Sequence, residues 1–125
     1  METYDVETYD VRFLQEALED LEEIVLYIAQ DSPASALRMH DKIMEKANSL
    51  TNFPKRGRLI PDKKMSAAGY RMLLIKPYVA FYRVIERTVF IYRVLHGATN
   101  YPMLYEKMSQ VNNVVNEEPE EIAML

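Results

Sequence analysis

The chain has 125 residues, 49% of them apolar and 27% charged, the size and composition of one folded domain rather than of two domains or a disordered chain. It has no cysteine and two histidines, which excludes disulfides and thiolate catalysis and argues against a zinc hydrolase. The longest apolar run is six residues and the acidic start does not resemble a signal peptide, so we expect a cytoplasmic protein without membrane segment, cofactor or metal ion.

The net charge of −4 is distributed unevenly along the chain. Residues 1–31 carry ten acidic residues and one arginine, whereas residues 32–110 carry fourteen basic and five acidic residues. The basic middle keeps nucleic acid open as a partner. Internal pairing between an acidic helix and a basic body is the alternative explanation.

The first predicted elements are a short strand and an amphipathic helix. Residues 2–6 are repeated as residues 7–11, and we interpret residues 1–8 as an N-terminal extension, with the first strand at residues 9–13. The apolar spacing then changes to three and four residues, which predicts a helix with an acidic outer face. Its apolar positions are Leu14, Leu18, Leu21, Val25 and Ile28.

A second helix follows at once. Ser32 is a good N-cap and Pro33 suits the first helical position, where its missing N–H has no intrahelical partner to lose. A stripe at Ala36, Met39, Ile43, Ala47 and Leu50 continues this helix as far as residues 52–54. Because the link between the two helices is so short, we expect an antiparallel helical hairpin.

Residues 54–69 are predicted to form a long loop with two glycines and two prolines. Long loops in small domains are often functional. Five cations in this loop are the candidate contacts to a target and could bind a phosphate backbone or ribosomal RNA, with a merely solvated basic loop as the alternative. They are Lys55, Arg56, Arg58, Lys63 and Lys64.

Three strand-like runs at residues 70–75, 78–85 and 88–95 predict an antiparallel meander. With Glu86-Arg87 as the turn and Ile85 opposite Thr88, alternate residues define two faces. The first face carries Tyr78, Ala80, Tyr82, Val84, Val89, Ile91, Arg93 and Leu95. The second face carries Val79, Phe81, Arg83, Ile85, Phe90, Tyr92, Val94 and His96. Both faces are largely apolar, and the helical hairpin can cover only one of them.

The predicted fold is α+β: an N-terminal strand, an antiparallel helical hairpin packed on one face of an antiparallel sheet, and a short C-terminal helix. We expect a single domain at residues 9–111, with that helix at residues 101–111. Residues 112–125 form an acidic tail that is expected to be flexible. Such a tail could fold back over the basic loop or the second face, or remain solvated.

Two sequence stretches are similar to those of a known family. The runs YVAFYRV at residues 78–84 and YRVLHGA at residues 92–98 resemble the RelE/ParE superfamily of bacterial type II toxins, as does the order of elements over residues 8–106. Ala17, Leu21, Ile24 and Ile28 match the usual positions of the first helix. The resemblance implies a small toxin held inactive by a cognate antitoxin.

The resemblance implies two possible activities. RelE-like members cleave messenger RNA on the ribosome with arginines, lysines and sometimes a histidine or tyrosine, whereas ParE-like members bind DNA gyrase without chemistry of their own. Val79 stands where the ribonuclease branch usually has an arginine, and residues 98–100 lack a second one. We therefore favour a ParE-like gyrase poison. A ribosome-dependent endoribonuclease is the first alternative, and a non-toxic antitoxin-binding or regulatory protein is the second.

A ribonuclease would need a base, a cation and an acid around the phosphate. His96 is the only plausible histidine base, with an unperturbed pKa of about 6.5. For Arg93 an ion pair with an acid of the first helix, such as Glu16 or Glu19, is the structural alternative. The candidate catalytic residues are Arg83, Arg93, His96, Tyr101 and Tyr105.

The second face is predicted to bind the antitoxin by strand addition or by an amphipathic helix. The residues assigned to this contact are Val79, Phe81, Arg83, Tyr92 and Val94. The C-terminal helix of the chain or a second copy are the other candidates to cover this face. A homodimer or a heterotetramer with the antitoxin is therefore expected as an assembly.

Overall fold

The computed structural model describes residues 8–97, and the predicted C-terminal helix and acidic tail lie outside this range. None of the helices in these ninety residues is both long and apolar enough to cross a bilayer. The elements are β1 (Asp10–Phe13), α1 (Gln15–Ala29), α2 (Pro33–Asn48), a 3₁₀ turn (Ser49–Thr51), β2 (Arg58–Leu59), α3 (Lys63–Ala67), β3 (Tyr70–Ile75), β4 (Tyr78–Ile85) and β5 (Thr88–His96).

The predicted α+β fold and its meander are confirmed, with one correction to the sheet. The strand order is β1-β5-β4-β3-β2, and β5, β4, β3 and β2 pair antiparallel. The first strand instead runs parallel to β5, so the sheet is mixed. The helical hairpin follows β1 and ends at Thr51, beside Tyr9, so the chain returns to the end of the sheet where β1 starts. A crossover of this kind is what parallel pairing requires.

The helical hairpin is built as the sequence predicts. Ser32 caps α2 by accepting a 3.1 Å hydrogen bond from the Ser35 N–H, and Pro33 is its first residue. α1 and α2 pack on each other and on one face of the sheet. The resulting helix-side core contains Phe13, Ala17, Leu21, Ile43, Ala47, Leu50, Leu73, Ile75, Tyr78, Ala80, Tyr82, Val89, Ile91 and Val94.

Residues 54–69 are not the structureless loop that the sequence predicts. The short strand β2 pairs with β3, and Asp62 caps α3 by accepting a 2.9 Å hydrogen bond from the Met65 N–H. Ile60 and Met65 are 1% exposed and belong to a second core on the opposite side of the sheet. The segment folds because these two side chains bury apolar surface that a free loop would leave in water.

The predicted register of β4 and β5 is confirmed next to the turn that joins them, but it changes farther along the two strands. Ile85 faces Thr88 and Tyr82 faces Ile91, but Phe81 faces Arg93, so Tyr92 is an extra residue in β5. This β-bulge reverses the faces that follow it. Val94 therefore lies in the helix-side core, whereas Leu95 packs against the core on the second face.

The carboxylate of Asp20 joins α1 to β5 just beyond the bulge. Arg93 donates to it from Nε at 2.7 Å and from Nη2 at 3.0 Å, and the Val94 N–H donates at 3.0 Å. β1 ends opposite Ile91, so Asp20 supplies the acceptor that a longer β1 would have offered to β5. Arg93 does pair with an acid of the first helix, but that acid is Asp20 rather than Glu16 or Glu19.

Replacing Asp20 with alanine should lower the free energy of unfolding by about 2–3 kcal/mol, because the variant leaves a buried Val94 N–H and the Arg93 guanidinium without their acceptor. Glu22→Ala, which removes an exposed acid from the same helix, should change it by less than about 0.5 kcal/mol. Urea unfolding of both variants measures the difference. Equal stability of the two variants would contradict the role assigned to Asp20.

Candidate functional site

The five cations of the predicted target-binding loop lie along one edge of the molecule. Lys55 and Arg56 precede β2, Arg58 lies on β2, and Lys63 and Lys64 lie on α3. All five are exposed. β2 is an edge strand of the sheet, and α3 packs beside β3, so the five cations lie on and next to this edge. We call residues 55–64 the basic edge.

The backbone of the basic edge is held rigidly at Gly57. A Cβ atom at Gly57 would lie 2.6 Å from the Met72 carbonyl oxygen and 2.8 Å from a Tyr82 ring carbon, so a side chain does not fit there. The Gly57 N–H donates to the Tyr82 hydroxyl at 2.9 Å, and Arg71 donates to the Gly57 carbonyl at 2.7 Å. The cations on either side of Gly57 thus project from a fixed backbone, which lowers the entropy that binding would cost.

A groove that the sequence did not indicate adjoins the basic edge. Its volume is about 640 Å³, and it is lined by Tyr9, Phe53, Pro54, Lys55 and Arg56. Phe53 is 64% exposed. The only signal for it in the sequence is the aromatic residue and proline directly before the first cations. The groove thus combines an apolar floor with positive charge.

The second face is buried in the described structure, contrary to the open surface that the sequence predicts. Arg83 is 9% exposed and its guanidinium lies 5.0 Å from the ring centre of Tyr70 and 5.8 Å from that of Tyr92. The two rings meet edge to face at 4.9 Å. Val79 and Phe81 are 3% and 0% exposed. The role of these residues in antitoxin binding stays a prediction, but they do not present an open apolar patch.

The candidate catalytic residues do not come together. Arg83 lies on the second face, and Arg93 is engaged by Asp20 of α1. The bulge turns His96 to the side of Tyr78, on whose ring it packs edge to face at 5.6 Å. Arg83 pairs with Phe90, six residues before His96 in β5, which corresponds to about 20 Å along the strand. Tyr101 and Tyr105 lie outside the described residues.

Two buried tyrosines differ in the state of their hydroxyl groups. Burial, and then the charge and the hydroxyl of the neighbouring Tyr92, raise the pKa of Tyr70 far above its usual value, but the Tyr70 hydroxyl makes no hydrogen bond of good geometry in the described part of the chain. Burial also raises the pKa of Tyr82, although the hydrogen bond from Gly57 and the charge of Arg71 oppose this shift. The Tyr82 hydroxyl therefore fixes the backbone of the basic edge by accepting from Gly57. The Tyr70 hydroxyl has no comparable hydrogen bond in the described residues.

At pH 7, Tyr70→Phe should leave stability unchanged or raise it, whereas Tyr82→Phe should cost about 1–2 kcal/mol because it leaves the buried Gly57 N–H unpaired. Because the pKa of Tyr70 is higher in the folded than in the unfolded protein, where it is about 10, ionisation above pH 10 favours the unfolded state. The parent protein therefore loses free energy of unfolding as the pH rises above 10. Tyr70→Phe should therefore lose less stability above pH 10 than the parent protein. Urea unfolding at pH 7 and pH 10.5 tests both points, and equal losses in the two variants at pH 7 would contradict them.

Comparisons with known proteins identify the family. Residues 11–101 match the model of the ParE toxin of type II toxin–antitoxin systems. The chain is 39% identical over 82 residues to the protein named Toxin RelE2 from Caulobacter vibrioides, covering 66% of this chain and 88% of that protein. It is 31% identical over 94 residues to a protein named Putative toxin Y4kP from Sinorhizobium fredii, covering 75% of this chain and 94% of that protein.

Solved structures of toxin–antitoxin systems have the same fold. A chain of the chromosomal ParDE system from P. aeruginosa superposes with a TM-score of 0.60 at 24% identity, over 72% of this chain and 97% of that chain. A chain of the RelBE2 toxin–antitoxin complex from Mycobacterium tuberculosis does so with a TM-score of 0.54 at 28% identity, over 71% of this chain and 98% of that chain. The match over residues 11–101 and the identity to the two toxins together show that this chain belongs to the ParE toxin family of type II toxin–antitoxin systems, within the RelE/ParE superfamily.

Proposed function

We propose that this toxin acts as ParE-like members of the family do, by binding DNA gyrase, and that a cognate antitoxin neutralises it. The observation that carries the proposal is the composition of the second face. At the positions that the structure describes, this face presents mainly buried apolar and aromatic side chains, and the guanidinium of Arg83 lies between two of its tyrosine rings. Arg93, opposite Phe81, is paired with Asp20.

Such a face is poorly suited to phosphate chemistry. Cleavage through a 2′-hydroxyl needs cationic donors aimed at the phosphate, and one such donor typically contributes about 10²–10³ in rate. Val79, at a position where the ribonucleases of the family usually carry an arginine, is 3% exposed between other apolar side chains. His96 lies on the other face, beyond the reach of Arg83. Among the described residues, the fold therefore separates His96 from Arg83, which supports the proposal of a toxin that acts by binding.

The basic edge is the surface that we assign to the target. Its five cations are exposed, and the hydrogen bonds at Gly57 fix the backbone that carries them. A rigid edge with this charge suits an acidic protein surface, and electrostatic attraction would speed the encounter. This assignment needs no exposed reactive group, in agreement with inhibition by binding.

The antitoxin is the second proposed partner. The two solved structures described above come from toxin–antitoxin systems, and one of them is a toxin–antitoxin complex. Since the second face is buried in the described chain, an antitoxin segment that used it would have to displace groups that now cover it. We therefore expect the antitoxin to contact residues at the borders of this face, including the exposed Leu74 on β3, which pairs with Val79.

A ribosome-dependent endoribonuclease is the second candidate. One observation favours it: the relative with 39% identity carries the name RelE2. The same five cations would then contact ribosomal or messenger RNA. Localisation in the cytoplasm is part of both proposals, since gyrase and ribosomes are found there.

The cellular phenotype distinguishes the two candidates. Induced expression of the full chain without an antitoxin should cause filamentation and activate a DNA-damage reporter while protein synthesis continues at first. An immediate arrest of translation without DNA damage would contradict the proposal and favour the ribonuclease.

Replacing Lys55, Arg56 and Arg58 together with alanine should reduce toxicity at least tenfold, as measured by the inducer concentration that stops growth. Each exposed substitution should change the free energy of unfolding by less than about 0.5 kcal/mol. The matched control removes three exposed cations elsewhere, Arg38, Lys42 and Lys76, and should remain fully toxic. Full toxicity of the folded basic-edge variant would show that this edge does not contact the target.

A further inference from the structure

The groove beside the basic edge has the properties of a peptide-binding surface. Phe53 is largely exposed, and together with Tyr9 and Pro54 it gives the groove an apolar floor. Lys55 and Arg56 contribute positive charge to the lining, and the Arg87 guanidinium lies 5.5 Å from the Tyr9 ring centre. An occupant that fits this surface must carry both negative charge and apolar side chains.

The groove is held in place from several sides. The Tyr9 N–H donates to the Thr51 carbonyl oxygen at 2.9 Å, and Arg56 donates to the Ser49 hydroxyl at 2.9 Å. Gly57, two residues after Lys55, is fixed by Tyr82 and Arg71. The floor and the charged wall are thus ordered before any ligand arrives, which reduces the entropic cost of binding.

The end of this chain has the complementary chemistry. Four of the five residues at positions 117–121 are glutamates, and Ile122, Met124 and Leu125 follow them directly. Lys107 is the last basic residue, so the final eighteen residues carry negative charge only. Charge and apolar character occur here in adjacent blocks, as they do in the groove.

The chain is long enough for the acidic segment at residues 117–121 to reach the groove. β5 starts beside β1, near Tyr9, and ends at His96 at the other end of the sheet, which is about 30 Å away for nine residues. Nineteen residues separate Gly97 from Glu117, and an extended chain of that length spans about 60 Å. The acidic segment can therefore return to the groove without disturbing the sheet.

We propose that residues 117–125 of the same chain dock in this groove, with the glutamates against Lys55 and Arg56 and the apolar end against Phe53 and Tyr9. Because the segment is tethered, its effective concentration at the groove is of the order of millimolar, so even a weak contact is populated. Docking covers two of the five cations of the basic edge. On the proposed function, in which the basic edge contacts the target, the docked segment restrains the toxin, and an acidic partner must displace the segment to reach those cations.

The absence of cysteine makes the test direct. A single cysteine introduced as Met124→Cys in the full chain carries a nitroxide label, and the amide NMR signals of the groove report its proximity. The signals of Phe53, Lys55 and Arg56 should broaden, whereas those of Lys76 and Tyr78, at the opposite end of the sheet, should not. The broadening should be strong at low salt and fall at least threefold at 1 M salt, where the Debye length is about 3 Å.

Charge reversal at one matched pair of lysines supplies the control. Lys55→Glu should remove most of the broadening, whereas Lys76→Glu, an exposed lysine far from the groove, should leave it unchanged. Three results would overturn the proposal: broadening spread evenly over the surface, broadening that Lys55→Glu does not alter, or broadening that vanishes when unlabelled protein is added in excess, which would indicate contact between two copies.

Discussion

The position of the first helix on the sheet depends on one carboxylate. Asp20 is 8% exposed and accepts three hydrogen bonds, two from Arg93 and one from the Val94 N–H, at the point where β1 has ended and β5 continues alone. A buried carboxylate without these donors would be costly, and an unpaired strand N–H would be costly as well. The carboxylate of Asp20 accepts from both donors, and these donors in turn compensate for its burial. This set of hydrogen bonds fixes the position of α1 along the edge of β5.

The same region determines which side chains can act together. The extra residue at Tyr92 keeps the tyrosine on the second face beside Arg83, but it sends Val94 into the helix-side core and His96 towards Tyr78. A catalytic centre needs its base and its cation within hydrogen-bond reach of one phosphate. The bulge therefore removes the histidine from the face where the family resemblance would place the reaction.

Much of this architecture could be predicted from local patterns. The helices follow from apolar spacing and from Ser32 and Pro33, and the meander follows from alternation and short turns. The bulge could not be predicted, because Tyr92 and its neighbours Ile91 and Arg93 fit an unbroken strand equally well. It depends on a contact with Asp20, seventy-three residues away in the sequence.

The helix α3 could not be predicted for a different reason. It is only five residues long, and it is stabilised by burial of Met65 and by the Asp62 cap more than by any periodic pattern. Of the candidate site, the five cations were predictable from composition, but the groove at Phe53 arises from the packing of Tyr9 near the start of the domain.

In this account the toxin acts through a rigid, positively charged edge rather than through catalytic side chains. Tyr82 reaches from the helix-side core to hold Gly57, so the core and the basic edge form one unit. The most direct test of this account is a DNA gyrase supercoiling assay with the purified protein, run beside a cleavage assay on ribosome-bound messenger RNA. The account predicts that supercoiling is inhibited at protein concentrations that leave the message intact. Cleavage of the message with supercoiling unaffected would contradict it.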